Sequence, residues 1–115
     1  MSENTNKFEV IFFVLNKGHE DEAMAAAREA GARGGTVITG RGSASPEAVV
    51  KALGISVHPE KEILMILTKQ EKRSQIMSAI SKVAGLNKPG GGIGFSLPVD
   101  DVTGITAFKT ENKED

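Results

Sequence analysis

Short apolar runs alternate along the chain with longer, more polar stretches. Runs this short, rich in Val, Ile, Phe and Leu and bounded by Gly, Pro or Asn, predict β-strands. The predicted strands are Phe8–Leu15, Thr36–Gly40, Glu62–Thr68, Ile93–Leu97 and a short last one at Gly104–Phe108. The first and third are almost continuously apolar, which is typical of strands covered on both faces.

Two of the intervening stretches have the composition of helices. His19–Arg33 is rich in alanine and begins with acidic residues, which suit the positive end of a helix dipole, and Gly34–Gly35 follow it. Thr68 and Glu71 have the spacing of a capping box before a second helix, for which Gly85 is the predicted stop. The apolar stripe of this helix consists of Ile76, Ile80, Val83 and Ala84.

The order of these elements repeats a strand-helix-strand unit twice. This order predicts an α+β fold of the ferredoxin-like βαββαβ type, in which an antiparallel sheet carries two helices on one face. We expect one domain over residues 8–108, a disordered N-terminus at 1–7 and a charged tail at 109–115. The connection between the second and third strands includes a short predicted helix at Ser45–Leu53.

The two predicted central strands are apolar on both faces, although two helices cover only one. On the first strand the two faces would carry Val10, Phe12 and Val14 or Ile11, Phe13 and Leu15, and on the third strand Ile63, Met65 and Leu67 or Leu64 and Ile66. Burying one such side chain stabilises by about 1.5–3 kcal/mol. The sequence therefore predicts a homo-oligomer whose sheets face its middle. Alternatively, segment 41–58 folds over the open face.

Composition narrows the functional classes. The 115 residues carry 14 Lys+Arg and 15 Asp+Glu, a net charge of -1 that disfavours a dedicated binder of nucleic acid or anionic membranes. Cysteine is absent, which excludes disulfides and thiolate metal sites. No apolar run approaches the roughly 20 residues of a membrane span, and the polar start lacks a signal-peptide pattern. We expect a soluble cytoplasmic protein without direct membrane insertion.

The sequence gives only weak signals for a catalytic or metal-binding site. The only histidines, His19 and His58, lie in dissimilar polar surroundings, which does not indicate a metal site. The acidic run Glu20–Glu22 is typical of the first turn of a helix and does not indicate general acid–base catalysis. No Ser-His-Asp spacing, phosphate-loop motif or nucleophile elbow is present. We therefore expect a protein that is not an enzyme and holds no metal.

Three segments resemble the P-II nitrogen regulatory protein family in order and spacing. They are GGTVITGRG at 34–42, PEKEILMIL at 59–67 and GGGIGFSLPVDDV at 90–102, within a resemblance that covers residues 8–106. The resemblance implies a trimer of ferredoxin-like units with sheets lining the centre. It also implies an adenine nucleotide (ATP, ADP or AMP) as effector ligand between subunits, and a signalling loop, here 42–58, that regulates a transporter, enzyme or transcription factor.

The resemblance also implies the nucleotide-binding positions. Thr36 would offer its hydroxyl to the adenine, Val37 and Leu64 would flank the base, and Arg41–Gly42 would lie near the phosphates at the base of the loop. A glycine turn would cradle phosphate oxygens with backbone N–H groups. The turn and its borders comprise Lys88, Gly90, Gly91, Gly92 and Ile93. Without the resemblance, the glycines predict only a turn between a helix and a strand. Arg41 could equally be a solvated charge at the end of a strand.

Three cations of the family pattern are missing. Ile93 stands where the family has a lysine, and Gly104 and Thr106 stand where it has arginines. A charge-assisted hydrogen bond contributes about 1.5–3 kcal/mol, so binding of a triphosphate in the usual pose is weakened. Lys88, Arg41 and Lys61 would replace the missing cations in part, which would favour binding of ADP or AMP over ATP. The alternative is a P-II-shaped trimeric interaction protein that has lost nucleotide control.

Overall fold

The computed structural model describes residues 7–42, 60–86 and 91–104. A short 3-10 turn at Gln70–Lys72 separates the third strand from the second helix. In chain order the elements are β1 (Phe8–Asn16), α1 (Glu20–Glu29), β2 (Thr36–Arg41), β3 (Glu60–Lys69), α2 (Arg73–Ala84) and β4 (Gly92–Val99).

The four strands form one antiparallel sheet in the order β2-β3-β1-β4. The two most apolar strands, β1 and β3, are therefore central, as the sequence predicts. Both helices contribute to the same hydrophobic core on one face of the sheet. This core consists mainly of Ile11, Phe13 and Leu15 from β1, Leu64 and Ile66 from β3, Ala23, Met24 and Ala27 from α1, and Ile76, Ile80 and Ala84 from α2. The predicted ferredoxin-like α+β fold is confirmed.

Phe13 shows how closely this core is packed. The side chain is 1% exposed and faces Gly94 on the neighbouring strand β4. A Cβ atom at position 94 would collide with the Phe13 ring. Gly94 is therefore required because the ring occupies the space of a β4 side chain.

The opposite face of the sheet, here called the open face, is also apolar. Its central side chains, from β1 and β3, are half-buried. The flanking Ile38, Ile93, Phe95 and Leu97 are 42–60% exposed. Phe12 and Phe95 stack with ring centroids 5.4 Å apart. The open face consists of Val10, Phe12, Val14, Ile38, Ile63, Met65, Leu67, Ile93, Phe95 and Leu97. The predicted division of β1 and β3 into two apolar faces is confirmed.

The junction between β3 and α2 differs from the prediction. Thr68 does not cap the helix, because β3 continues through Lys69 and the buried Thr68 hydroxyl donates to the Lys69 carbonyl at 3.3 Å. The junction is instead held by the buried carboxylate of Glu9, which accepts hydrogen bonds from Arg73 Nη1 at 2.9 and 3.1 Å. A buried carboxylate requires such a partner.

Helix and strand ends also depart from the predicted boundaries. α1 ends at Glu29 because Gly31 takes a φ of 117°, which continues no helix. β4 runs on through Pro98, which an edge strand tolerates because one side of its backbone needs no ladder hydrogen bond. Gly85 ends α2 in the left-handed conformation, with φ 67°, as predicted.

Several predictions fall outside the described residues. They concern the N-terminus before Lys7, the helix at Ser45–Leu53 with most of loop 42–58, the strand beyond Gly104 and the charged tail. Within the described part of the chain, no helix has the length and apolar character needed to cross a membrane.

Candidate functional site

Two clefts lie at opposite ends of the edge strand β2. The first, the loop-root cleft, has a volume of about 350 Å³ and lies where β2 ends and β3 begins. It is therefore at the root of the connection 43–59. Its lining consists of Lys17, Thr39, Gly40, Arg41, Glu60, Lys61 and Glu62. Arg41, which the resemblance assigns to this place, is exposed at its rim.

Polar contacts tie the turn after β1 to the first residues of β3 beside this cleft. Lys17 Nζ donates to Glu60 Oε1 at 3.0 Å, and the Lys17 backbone N–H donates to the Glu60 carbonyl at 3.3 Å. Lys61 Nζ donates to Asn16 Oδ1 at 2.7 Å. The root of the connection is thus held against the β1–α1 turn.

A carboxyl pair completes this corner. Glu62 accepts a hydrogen bond from the Gly18 backbone N–H at 3.1 Å and shares a second one with the Glu20 side chain. That second bond raises the pKa of Glu62 above its ordinary value and lowers the pKa of Glu20. Within this pair, Glu62 is therefore the carboxyl that takes up a proton first as pH falls. The hydrogen bond from Lys17 to Glu60 raises the pKa of Lys17.

The second cleft, the Thr36 groove, has a volume of about 340 Å³ and opens beside the start of β2. Five residue steps of β-strand place Thr36 about 17 Å from Arg41. The two clefts are thus separate in one chain. The Thr36 groove is lined by Val10, Arg33, Gly34, Gly35, Thr36, Met65 and Leu67.

The structure places the predicted base-contacting residues in different surroundings. Thr36 is exposed at its groove, and Val37 is 41% exposed at the sheet edge. Leu64, in contrast, is 1% exposed and belongs to the core under the helices. Its side chain therefore faces the helices in the single chain, and its contact with a base stays a prediction. The period of two along β3 instead directs the neighbouring Met65 to the open face.

The glycine turn before β4 is required by the fold itself. A Cβ at Gly91 would collide with the Gly85 carbonyl, and Gly92 has a φ of 128° beside the Val14 carbonyl. Ile93 is 60% exposed on the open face. Lys88 and Gly90 lie outside the described residues.

One chain does not bring all predicted phosphate contacts together. Gly42 directly follows Arg41 at the loop-root cleft, whereas Gly92 begins β4 at the opposite edge of the sheet. Three strand spacings separate β2 from β4, about 14 Å. A ligand that contacts both edges of one chain would have to span at least this distance.

The sequence did not reveal several residues of these clefts. Lys17 and Glu62 line the loop-root cleft, and they meet there, next to Glu20, only because β1 and β3 pair in this register. Arg33 and Gly34 were predicted as a helix end rather than as the wall of a groove. In the part of the chain that the structure describes, no three His, Cys, Asp or Glu side chains are placed to hold a metal ion.

Comparisons with known proteins address the fold. No protein-family model and no curated protein sequence matches the chain. The solved structure of Arabidopsis thaliana PII bound to citrate matches with a TM-score of 0.68 and 23% identity, over 88% of this chain and 82% of that one. A B. subtilis GlnK–ATP complex matches with a TM-score of 0.60 and 14% identity, over 81% and 82%. The architecture of this chain is therefore that of the PII proteins, built from a divergent sequence.

Proposed function

We propose that the chain is a PII-like regulatory protein that binds an adenine nucleotide and controls a partner protein through residues 42–58. The observation that carries this proposal is the loop-root cleft, where Lys17, Arg41 and Lys61 surround a space at the base of that segment. The two similar structures hold citrate and ATP, which are both polyanions. The cleft sets three cations against the carboxylates of Glu60 and Glu62, and this excess of cations in the same fold fits a ligand of that class.

The assembly in this proposal is a homotrimer with its sheets inward. In this trimer the apolar side chains of the open face would be removed from water. Phe95 and Leu97 are about half exposed in the single chain, and burying them favours such an assembly. Clefts between copies would unite the β2 edge of one chain with groups of another. Such clefts are needed because a single chain keeps Arg41 and the Gly91–Gly92 turn apart.

The charges present favour ADP or AMP over ATP. Ile93 brings no cation to the glycine turn, and Gly104 brings none to the segment after β4. Arg41 and Lys61 are the described replacements, while Lys88 stays a sequence-based candidate. Each phosphate without a cationic partner loses a charge-assisted hydrogen bond.

The signal would pass through the polar contacts at the cleft. A ligand phosphate would attract Lys17 and Lys61, which now bind Glu60 and Asn16. Changing these bonds alters the residues that directly follow the regulatory segment. The proposed protein acts in the cytoplasm by binding rather than catalysis, on a transporter or a metabolic enzyme.

Isothermal titration of the full chain with ATP, ADP and AMP, alone and with bicarbonate or 2-oxoglutarate, tests nucleotide binding. We expect Arg41→Gln and Lys61→Gln to weaken ADP binding by about tenfold or more, as loss of a charge-assisted bond does. Lys82→Gln on α2, distant from both clefts, is the matched control and keeps wild-type affinity. Absence of heat and of a thermal shift with every nucleotide would contradict the proposal.

A second candidate is a PII-shaped trimeric interaction protein without nucleotide control. It is favoured by the glycine turn, whose Gly91 and Gly92 the fold requires without any ligand. It predicts a trimer whose capture of its partner is unchanged by ATP, ADP or AMP. The first candidate predicts capture that changes with at least one of them.

A further inference from the structure

We infer that the loop-root cleft takes up a proton together with its anionic ligand, and that Glu62 is the group that receives this proton. The inference rests on the proposed function and adds a form of regulation to its site. Occupancy of the cleft would then depend on pH as well as on the nucleotide concentration.

Glu62 is a carboxyl inside a cleft that is proposed to bind phosphate. The residue is 8% exposed and lines the cleft, where its neighbour on β2 is the uncharged Thr39. An ionised Glu62 and a phosphate in this space of about 350 Å³ repel each other. Protonation of Glu62 removes the repulsion, so the cleft binds an anion more favourably when this carboxyl is neutral.

The contacts of Glu62 favour uptake of a proton. Its hydrogen bond with the Glu20 carboxyl raises the pKa of Glu62, while the backbone N–H of Gly18 donates to Glu62 Oε1 at 3.1 Å. Oε1 of Glu20 is buried and, within the part of the chain that the structure describes, has no hydrogen-bond donor. Two carboxylates cannot donate to each other, whereas a protonated Glu62 can donate to Glu20. An added proton therefore gains a hydrogen bond at this corner.

A bound ligand would change the charges around Glu62 in the same direction. The positive charge of Lys17 opposes the rise in the pKa of Glu62, and Lys17 Nζ lies 3.0 Å from Glu60 Oε1. A phosphate would draw this ammonium toward itself and would add negative charge to the cleft. Both changes disfavour the ionised form of Glu62. Ligand and proton therefore favour each other's binding, and by linkage a lower pH strengthens ligand binding.

The other charged groups of this corner are less suited to receive the proton than Glu62. Glu60 is the exposed partner of a salt bridge, with 53% of its side chain accessible. Arg41 and Lys61 line the cleft as cations. His19 is bonded to a carboxylate of the first turn of α1 at 3.3 Å and is not among the described residues that line the cleft.

Isothermal titration of the full chain with ADP at several pH values tests the inference. Wild-type affinity should rise about three- to tenfold as pH falls toward 4.5 through the raised pKa of Glu62, since one linked proton allows at most about tenfold per pH unit. Glu62→Gln is neutral at every pH. It should bind ADP more tightly than wild type at neutral pH, by the same factor, and the two affinities should converge in acid.

The comparison with Glu62→Gln separates the protein's proton from that of the ligand. A terminal phosphate itself titrates with a pKa of about 6, and this contribution is common to both proteins. Repeating the titrations in two buffers of different ionisation enthalpy counts the protons taken up, and Glu62→Gln should take up fewer than wild type. Glu29→Gln, an exposed carboxylate at the end of α1, is the control that should behave as wild type.

The outcomes separate this inference from the proposed function. If wild type binds ADP and a folded Glu62→Gln binds it equally well or more weakly at neutral pH, the role of Glu62 is refuted while nucleotide binding stands. A carboxyl ¹³C titration of wild type by NMR needs no variant: ADP should raise the pKa of Glu62 further, and an unchanged value likewise refutes the coupling. If wild type binds neither AMP, ADP nor ATP, the inference and nucleotide sensing are refuted together.

Discussion

The two faces of the sheet carry similar side chains but differ in what covers them. On β1, Phe13 points toward the helices and is 1% exposed, whereas its neighbour Phe12 points to the open face and is half-buried. At the edge of the open face, Phe95 is 44% exposed. Hydrophobicity alone therefore does not decide burial in this chain, because two helices suffice to cover one face only.

Because of this difference, the two faces contribute to stability in different ways. Contacts on the helix-covered face form within one chain, so they stabilise it at any protein concentration. Apolar area on the open face stabilises only when something covers it, and a contiguous apolar surface of this kind marks an interaction site. The proposed occupant is a second copy of the chain, with segment 41–58 as the alternative from the sequence.

The largest expected effect comes from truncating Phe13. Phe13→Ala should lower the free energy of unfolding by about 3–5 kcal/mol, because it leaves a cavity between the sheet and the helices. Phe12→Ala, one residue away, is the matched variant. Its effect should be smaller in dilute protein and grow with concentration as copies associate. Equal, concentration-independent losses in urea denaturation would contradict the distinction between the faces.

A charged substitution on the open face should act mainly on assembly. We expect Phe95→Lys to shift the mass in light scattering from a trimer toward a monomer, because an ammonium cannot be buried unpaired. Val83→Lys on α2 is the control, since Val83 is 41% exposed and Phe95 44%. A wild-type mass equal to that of one chain would refute the proposed assembly and favour coverage by segment 41–58.

A more moderate effect concerns pH and the carboxyl pair at the margin of the helix-covered face. The folded pKa of Glu62 is raised, so its contribution to stability is lost as pH rises from the ordinary value of 4.5 through the raised one. The folded pKa of Glu20 is lowered, so its contribution is lost as pH falls through the lowered value. Stability from this pair therefore peaks near the ordinary glutamate pKa.

Glu62→Gln tests the raised pKa of Glu62. An amide retains an acceptor for Gly18 N–H and a donor for Glu20, but it does not titrate. Urea midpoints of the variant should decline less than those of wild type as pH rises from 4.5 through the raised pKa of Glu62. Parallel pH profiles of the two proteins would show that the pKa of Glu62 is not raised in the folded chain.

The smallest expected effect concerns Lys17. Its pair with Glu60 is exposed on both sides, with 67% and 53% of the side chains accessible, and salt screens such pairs. Lys17→Gln should cause a slight loss of stability at low salt and none at high salt. A large, salt-resistant loss would show that the loop-root cleft contributes to the folding of the chain and not only to ligand binding.

Much of the fold was predictable because its signals are local. Alternation with a period of two separated Phe12 from Phe13, and Gly85 marked a helix end through its backbone freedom. The capping box at Thr68 failed because pairing with β1 extends β3 to Lys69, which uses the residues that a helix cap would need. The contact of Leu64 with a base stays a prediction: its strand face was identifiable from the sequence, but which face the helices cover was not.

The sequence by itself determined the strands, the helices, their order and the presence of two apolar faces, because periodicity and glycine positions act over a few residues. Only the tertiary structure decided which face the helices cover. It also decided that Glu60–Glu62 meet the β1–α1 turn and that Arg33 and Gly34 join Met65 at a groove. These contacts join residues more than thirty positions apart, and the strand register that creates them is a property of the whole sheet.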